Sequence, residues 1–369
     1  MMLKILFRIF DNDRQSRYLI PVITIALSMI TASVILLVMG KNPLLAIAAF
    51  LRGSGFLPKP AYAGGQGMIT DFLSFLGILA PMLLAALAVS LALCAGLFNI
   101  GTAGQMLAAG FTAMVFIGYS GLGSWIAKPL VILIGMAAGG LVGAAIGFLK
   151  YRFNIHEVVS SIMFNYIISY ITGFFINGYY IDPITRSSKI CSAASRLTLS
   201  NVVPASSMRL TLPIGIVIAL AAVFLVRFLL ERTVIGFEIK AVGLNKNCAR
   251  YSGIRVGYII VLSMFFSGIL AGLAGVSFYL GYYNTIIPKE LASLGYDAIA
   301  ASLLGNISPL GCIFSSSLIT VFQKGNVYMG STVGVPREIA SVITGILLLF
   351  SACGEYIRHL ARKRLESWK

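Results

Sequence analysis

Gly96-Leu97-Phe98-Asn99-Ile100-Gly101-Thr102-Ala103-Gly104-Gln105 interrupts two long apolar stretches with three glycines and two amides. Backbone that leaves the helix at membrane depth is tolerated only where protein or a water-filled cavity satisfies it. Transporters place such broken helices where a polar solute is held near the midplane. The decamer therefore reads either as a break of that kind or as a plain cytoplasmic turn between two helices.

Its surroundings suit a bilayer. Of 369 residues, 58% are hydrophobic and 11% charged, and the mean hydropathy is +0.92, far from the soluble average. Apolar runs of about 20 residues, the length of a membrane span, cover Tyr18 to Met39, Phe72 to Cys94, Ala127 to Leu149, Leu212 to Leu230 and Val256 to Leu280. The expected fold is an all-α polytopic membrane protein. The net charge of +16 comes from basic residues scattered along the chain, which argues against a nucleic-acid partner and instead reports topology. Most lie before Tyr18, just after Leu149, between Arg227 and Arg255, and in the C-terminal tail, so these segments are expected in the cytoplasm.

One transmembrane domain, 1–369, is expected. It comprises a cytoplasmic N-terminus (1–17), an external loop (177–211), a cytoplasmic segment (231–255) and a basic cytoplasmic tail (354–369). Counting short apolar pieces gives ten membrane helices with both termini inside; eight is the alternative. The run after Arg17 exceeds a signal-peptide core and is read as a retained first span. Asn99-Ile100-Gly101 and Asn306-Ile307-Ser308 each follow an apolar segment, hinting at a repeated broken-helix element. The five cysteines form no CxxC pair and there are two histidines, so neither a metal site nor a disulfide framework is expected. Cys191 reads as an exposed external thiol.

The twelve carboxylates all fall in loops or at the first turn of a span. Proton relays use acidic groups or histidine inside the membrane, so proton coupling is disfavoured, while sodium coupling through carbonyls and hydroxyls stays open. No G-x-x-x-x-G-K-[ST] motif is present, so energy from ATP would have to come through a partner. Thr233 to Gly243 reads as a short helix closed by its glycine, and Asn245 as the cap of a second one through Ala249 and Tyr251. Small residues there would let the pair enter a groove on another protein; a solvated loop is the other reading. Asn154 and Glu157 have capping-box spacing. Asn165 lies two turns inside an apolar span, where its amide must find partners, whether a neighbouring helix or a ligand.

Three segments together resemble one family. They are Gly96 to Gln105, His156-Glu-Val-Val-Ser-Ser-Ile-Met-Phe-Asn-Tyr166, and Lys240-Ala-Val-Gly-Leu-Asn-Lys-Asn-Cys-Ala-Arg-Tyr-Ser-Gly-Ile254, joined by Leu303-Leu-Gly-Asn-Ile-Ser-Pro-Leu-Gly311. The chain is similar to inner-membrane permeases of bacterial ABC importers, in the nucleoside and simple-sugar branch. It departs from that branch at Thr102-Ala103, where a small residue and Glu are common, and at His156, commonly Asn. The resemblance implies a multi-pass permease of the bacterial inner membrane that performs no chemistry and holds no cofactor. It would pair with a second permease or a copy of itself, dock a cytoplasmic ABC ATPase and receive solute from an extracytoplasmic binding protein. It further implies ATPase coupling through Gly236, Glu238, Ala241, Gly243, Asn245, Ala249 and Tyr251. Phe98, Asn99, Gln105, Asn165 and Asn306 are the candidates to line the solute path, where ring stacking and amide hydrogen bonds would suit a nucleoside. A simple sugar or riboflavin is an alternative cargo, a sodium-driven carrier the alternative class, and a membrane-embedded enzyme ranks last.

Overall fold

The computed structural model describes residues 13–59, 67–200 and 211–336, together with 339, 342, 343, 345, 346, 349 and 350. In chain order the helices are α1 (Asp13–Val38), α2 (Pro43–Gly53), α3 (Met68–Cys94), α4 (Thr102–Ala113), α5 (Ser124–Phe153) and α6 (Glu157–Phe175). There follow α7 (Ile214–Arg232), α8 (Val234–Leu244), α9 (Lys246–Tyr251), α10 (Val256–Val276), α11 (Leu294–Leu304) and α12 (Pro309–Val333). A small antiparallel hairpin pairs β1 (Thr198–Ser200) with β2 (Thr211–Pro213), Leu199 opposite Leu212. The chain divides into two compact units, Leu73–Ile299 and Met1–Phe72 with Ala300–Lys369.

Five helices are long and apolar enough to cross a membrane: Met68–Cys94, Ser124–Phe153, Glu157–Tyr180, Ile214–Arg232 and Val256–Tyr283. A sixth span is possible by joining Ala26–Val38 to Pro43–Gly53, a pair bent by 119°. The bend follows from Gly40 at φ +69 and from Asn42, whose side chain accepts the Leu44 N–H at 2.9 Å to start α2 afresh. This is a polytopic helical protein. Full-length apolar helices among the described residues number fewer than the ten expected. Two expected passes are the short helices Thr102–Gly118 and Leu294–Leu304, and the last, Ile339 to Cys353, falls largely outside the described residues.

The larger unit is built on glycine. Gly135, Gly139, Gly143 and Gly147 recur every fourth residue on α5 and share one face. Met264, Gly268, Gly272 and Val276 of α10 oppose them so closely that a Cβ at Gly139 would lie 2.6 Å from Gly272 Cα. In lipid no hydrophobic force draws helices together, and close backbone approach supplies the dispersion contact instead. Against α10 lies α3, buried on every side from Ala80 to Ala92, as a central membrane helix must be. It is tied to α10 by Ser267, whose hydroxyl donates to Ala88 O at 2.7 Å.

At one end of this unit α4, α6 and α10 each finish in a wide π turn, Met114–Gly118, Ile176–Tyr180 and Ser277–Tyr283. Such a turn disrupts the usual helical bonding and frees carbonyls. Loop amides take them up: Lys189 N–H donates to Tyr180 O (2.8 Å), Ser192 N–H to Gly118 O (2.8 Å) and Leu197 N–H to Leu280 O (3.1 Å). The loop expected at 177–211 is thus an ordered cap over its described part, 181–200. Cys191, expected to be exposed, is buried within it.

In the smaller unit α2 packs on α12, with the Phe50 and Phe322 rings 4.8 Å apart and Ser54 donating to Val321 O at 3.2 Å. Lys59 pairs with Asp71 at 2.8 Å and lies over the Tyr328 ring.

Candidate translocation site and coupling segment

The decamer begins with a left-handed turn. Gly96 has φ +67, Leu97 N–H reaches back to Ala92 O (3.0 Å) and Gly96 N–H to Leu93 O (2.9 Å), the paired bonds that close a helix around an αL residue. The same pair closes α11: Ile307 N–H to Ser302 O (3.0 Å) and Asn306 N–H to Leu303 O (2.9 Å), with Asn306 at φ +53. The repeat suggested by two Asn-Ile dipeptides therefore exists as a turn, but in another register, with Gly96-Leu97 matching Asn306-Ile307.

Beyond the turn the amides face inward. Asn99 is fully buried; its Oδ1 accepts from Gly101 N–H (3.0 Å), and its Nδ2 donates to Gln105 Oε1 (3.1 Å) and Ser267 Oγ (2.8 Å). Gln105 is equally buried. A satisfied network of this kind in a low-dielectric interior fixes one conformation, here binding the break to α10 and, through Ser267, to α3. Asn165 performs the same service from α6. Its Oδ1 accepts from Gly104 N–H (2.9 Å), and its Nδ2 donates to Ile100 O (3.0 Å) and Tyr296 Oη (3.4 Å). Gly104 leaves room for this amide, and Gly295 of α11 backs onto Ala103, where a Cβ would sit 2.7 Å from the Ala103 Cα. The first turns of α4 and α11 accordingly meet beside Asn165. Of the expected path residues, Asn99, Gln105 and Asn165 come together and engage protein partners. Phe98 is half-buried next to them, and Asn306 is half-buried in the other unit.

The short-helix pair lies at the end opposite the cap. Thr233 caps α8, accepting from Gly236 N–H (3.1 Å) while donating to Leu229 O (2.6 Å). Asn245 caps α9, accepting from Asn247 N–H (2.9 Å) and Cys248 N–H (3.1 Å). Gly236 permits the sharp α7–α8 corner, since a Cβ there would be 2.6 Å from Leu230 Cα. Gly243 does not close α8, which continues to Leu244. It serves as a contact instead, its missing Cβ falling 3.0 Å from both the Cys94 carbonyl carbon and the Gly96 nitrogen. Backbone of the short-helix pair thus rests on backbone of the helix break. Ala249 is buried, Glu238 and Ala241 are half-buried, and Leu244 and Tyr251 stand 88% and 91% exposed beside exposed Phe237 and Val234.

The capping box is displaced as well. Asn154, at φ +53, ends α5, and His156 caps α6 by accepting from Val158 N–H at 3.4 Å. Glu157 pairs with Lys150. Sequence reasoning passed over Ser267 and Tyr296. The first had a signal in its position beside Gly268 in an apolar run, and the second had none. Among the described residues no three His, Cys, Asp or Glu side chains gather as a metal site would require.

These features define a multi-pass membrane protein whose helices break around buried amides. The chain belongs to the family described as the permease component of the branched-chain amino acid transport system, whose profile covers residues 72–352. It is 34% identical to the guanosine ABC transporter permease protein NupP of Bacillus subtilis, over 95% of this chain and 97% of that one. It is 32% identical to the nucleoside ABC transporter permease protein NupB of Lactococcus lactis, over 92% of each. A glucose ABC transporter permease protein of Haloferax volcanii is 25% identical over 75% of each chain. No solved structure matches. The chain is a membrane permease component and not an enzyme.

Proposed function

We propose that this chain is the membrane-spanning subunit of an ATP-driven importer that carries nucleosides across the bacterial inner membrane. The observation that carries the reading is near full-length similarity to two permeases named for nucleosides, at higher identity than the similarity to a glucose permease. The end bearing α8 and α9 is cytoplasmic, supported by Lys150, Arg152, Arg227, Arg232, Lys240, Lys246, Arg250 and Arg255. With the first and last segments included, ten membrane segments place both termini on that side. Gly236 to Tyr251 docks a cytoplasmic ABC ATPase; the exposed Leu244 and Tyr251 offer the apolar anchors that such an interface needs. Closure of the ATPases moves this pair, and the contact of Gly243 on Gly96 carries the displacement into the break. Asn99, Gln105 and Asn165 hold the path open from behind, with Phe98 as its half-exposed member. A second permease, or a copy of this one, completes the path, and an extracytoplasmic binding protein delivers solute to the cap.

Uptake of labelled guanosine into proteoliposomes carrying the chain with its ATPase tests this. ATP-dependent uptake that ignores excess ribose and riboflavin is the expected result. Uptake driven by a sodium gradient without ATP would overturn it.

A further inference from the structure

Residues 284–293, between the π turn of α10 and the start of α11, are not helical. They run along α6: a Cβ on Gly173 would lie 3.2 Å from Lys289 N, and they lead into the first turn of α11, where the Tyr296 hydroxyl accepts from Asn165. At about 1.5 Å per residue, Asn165 lies roughly 20 Å from the π-turn end of α6. This is irregular backbone at membrane depth, which must be covered by protein or line a water-filled cavity.

Besides Ile287, this segment exposes Lys289, Glu290 and Ser293. Lys289 holds φ +63, a conformation costly for a lysine. Its side chain crosses Gly173 and brings Nζ 5.8 Å from the centre of the Tyr170 ring. Tyr170 precedes Gly173 by one turn, so the ammonium points toward the middle of α6, the reverse of a lysine that snorkels to the nearer end. No carboxylate among the described residues pairs with it. Tyr166 and Tyr170 are exposed one turn apart on the same helix, and Tyr296 is exposed beside them. An unpaired cation directed inward from a span is expensive and marks a ligand path. The N-terminal turns of α4 and α11 meet at Asn165 and add two positive dipole ends. Ser161 Oγ, fully buried next to Gly101, has no partner there among the described residues.

We infer that Tyr166, Tyr170, Lys289 and Tyr296 form the contact surface for the transported solute, and that this solute is a nucleoside whose base carries an exocyclic carbonyl oxygen. The tyrosine rings stack on the base, which has a flat face on each side, and Lys289 holds the exocyclic carbonyl oxygen. A sugar, with hydroxyls all round and no aromatic face, uses neither feature well. The inference rests on the nucleoside-importer reading above and supplies its binding residues.

The experiment compares guanosine with 2-aminopurine riboside, which lacks the 6-oxygen, in the assembled transporter in proteoliposomes. Lys289→Gln should raise the KM for guanosine by about tenfold, the size of a lost charge-assisted hydrogen bond, and leave the KM for the analogue unchanged. Lys289→Arg should restore most of the difference. Tyr170→Leu should raise both KM values together. ATP hydrolysis and thermal stability of each variant report whether the assembly is intact. An unchanged guanosine KM in Lys289→Gln, or an equal rise for both solutes, overturns this inference alone. Wild-type vesicles that import no nucleoside overturn the importer reading itself.

Discussion

Replacing Gly139 by alanine should cost more than any single-methyl change on an ordinary helix. The new Cβ would lie 2.6 Å from Gly272 Cα and closer still to Gly268 O, whereas ordinary contact begins near 3.4 Å, so α5 and α10 must part locally by at least about 0.8 Å. Both obstructing groups, Gly272 Cα and Gly268 O, are main chain and have no rotamer to change. Ser267 adjoins Gly268, and its bonds to Asn99 and Ala88, at 2.8 and 2.7 Å, stretch toward or beyond the range of a hydrogen bond as α10 shifts. Overpacking of this kind costs about 1–3 kcal/mol, and each weakened hydrogen bond adds about 0.5–1.5 kcal/mol. Thermal unfolding of the detergent-solubilised protein reads the sum. Gly121→Ala, where nothing lies within 4 Å, is the matched control and should leave the melting temperature unchanged. If Gly139→Ala melts with the wild type, the account of this helix pair as a backbone contact is wrong.

Gly243→Ala should separate two activities: ATP hydrolysis by the assembled transporter continues while solute uptake falls, because the methyl lifts α8 off Gly96. Retained uptake at the wild-type rate would refute that. Asn165→Leu should destabilise the protein, since it strands the Gly104 N–H and the Ile100 carbonyl at about 1–3 kcal/mol for each buried group left unpaired; expression yield and melting temperature check it. Thr233→Ala removes the α8 cap and should cost about 1 kcal/mol, seen as faster proteolysis between Arg232 and Lys246. In single-cysteine variants, maleimide should label exposed Cys248 readily and Cys191 slowly. Burial pushes the Cys191 thiol above its usual range, so at neutral pH the reactive thiolate is scarce, and its labelling should accelerate as the pH rises past that range. Equal rates at both cysteines would place Cys191 outside the cap.

The membrane character was legible because hydrocarbon demands long apolar runs, and Asn245 because an N-cap needs only a short acceptor before a helix. Asn154 shows where such rules compete. The same side chain that favours a cap also tolerates the left-handed turn, and the end of α5 required the turn. Gly96 and Asn306 occupy equivalent turns for that reason, although matching letters paired other residues. Gly243 could not be read as a contact, because its partner Cys94 is remote in sequence. The descent of residues 284–293 was invisible for a different cause: irregular backbone has no periodicity of its own. The four-residue glycine spacing of α5 was plainly written and needed only its partner on α10 to be understood.

The cap over the π turns has a consequence for how such a chain can change over time. Lys189, Ser192 and Leu197 hold it with main-chain N–H groups, which every residue but proline possesses. These three bonds are blind to side-chain identity. The outer surface is therefore free to drift toward a new neighbour while the architecture beneath stays put. The constraints that remain are no proline at those three positions or at Ser188 and Cys191, whose N–H groups donate to Ile286 O (2.8 Å) and Asn284 O (3.2 Å), side chains that fit where Cys191 and Leu197 are buried, and a hydroxyl at Ser188, whose oxygen receives the Ile286 amide at 2.9 Å.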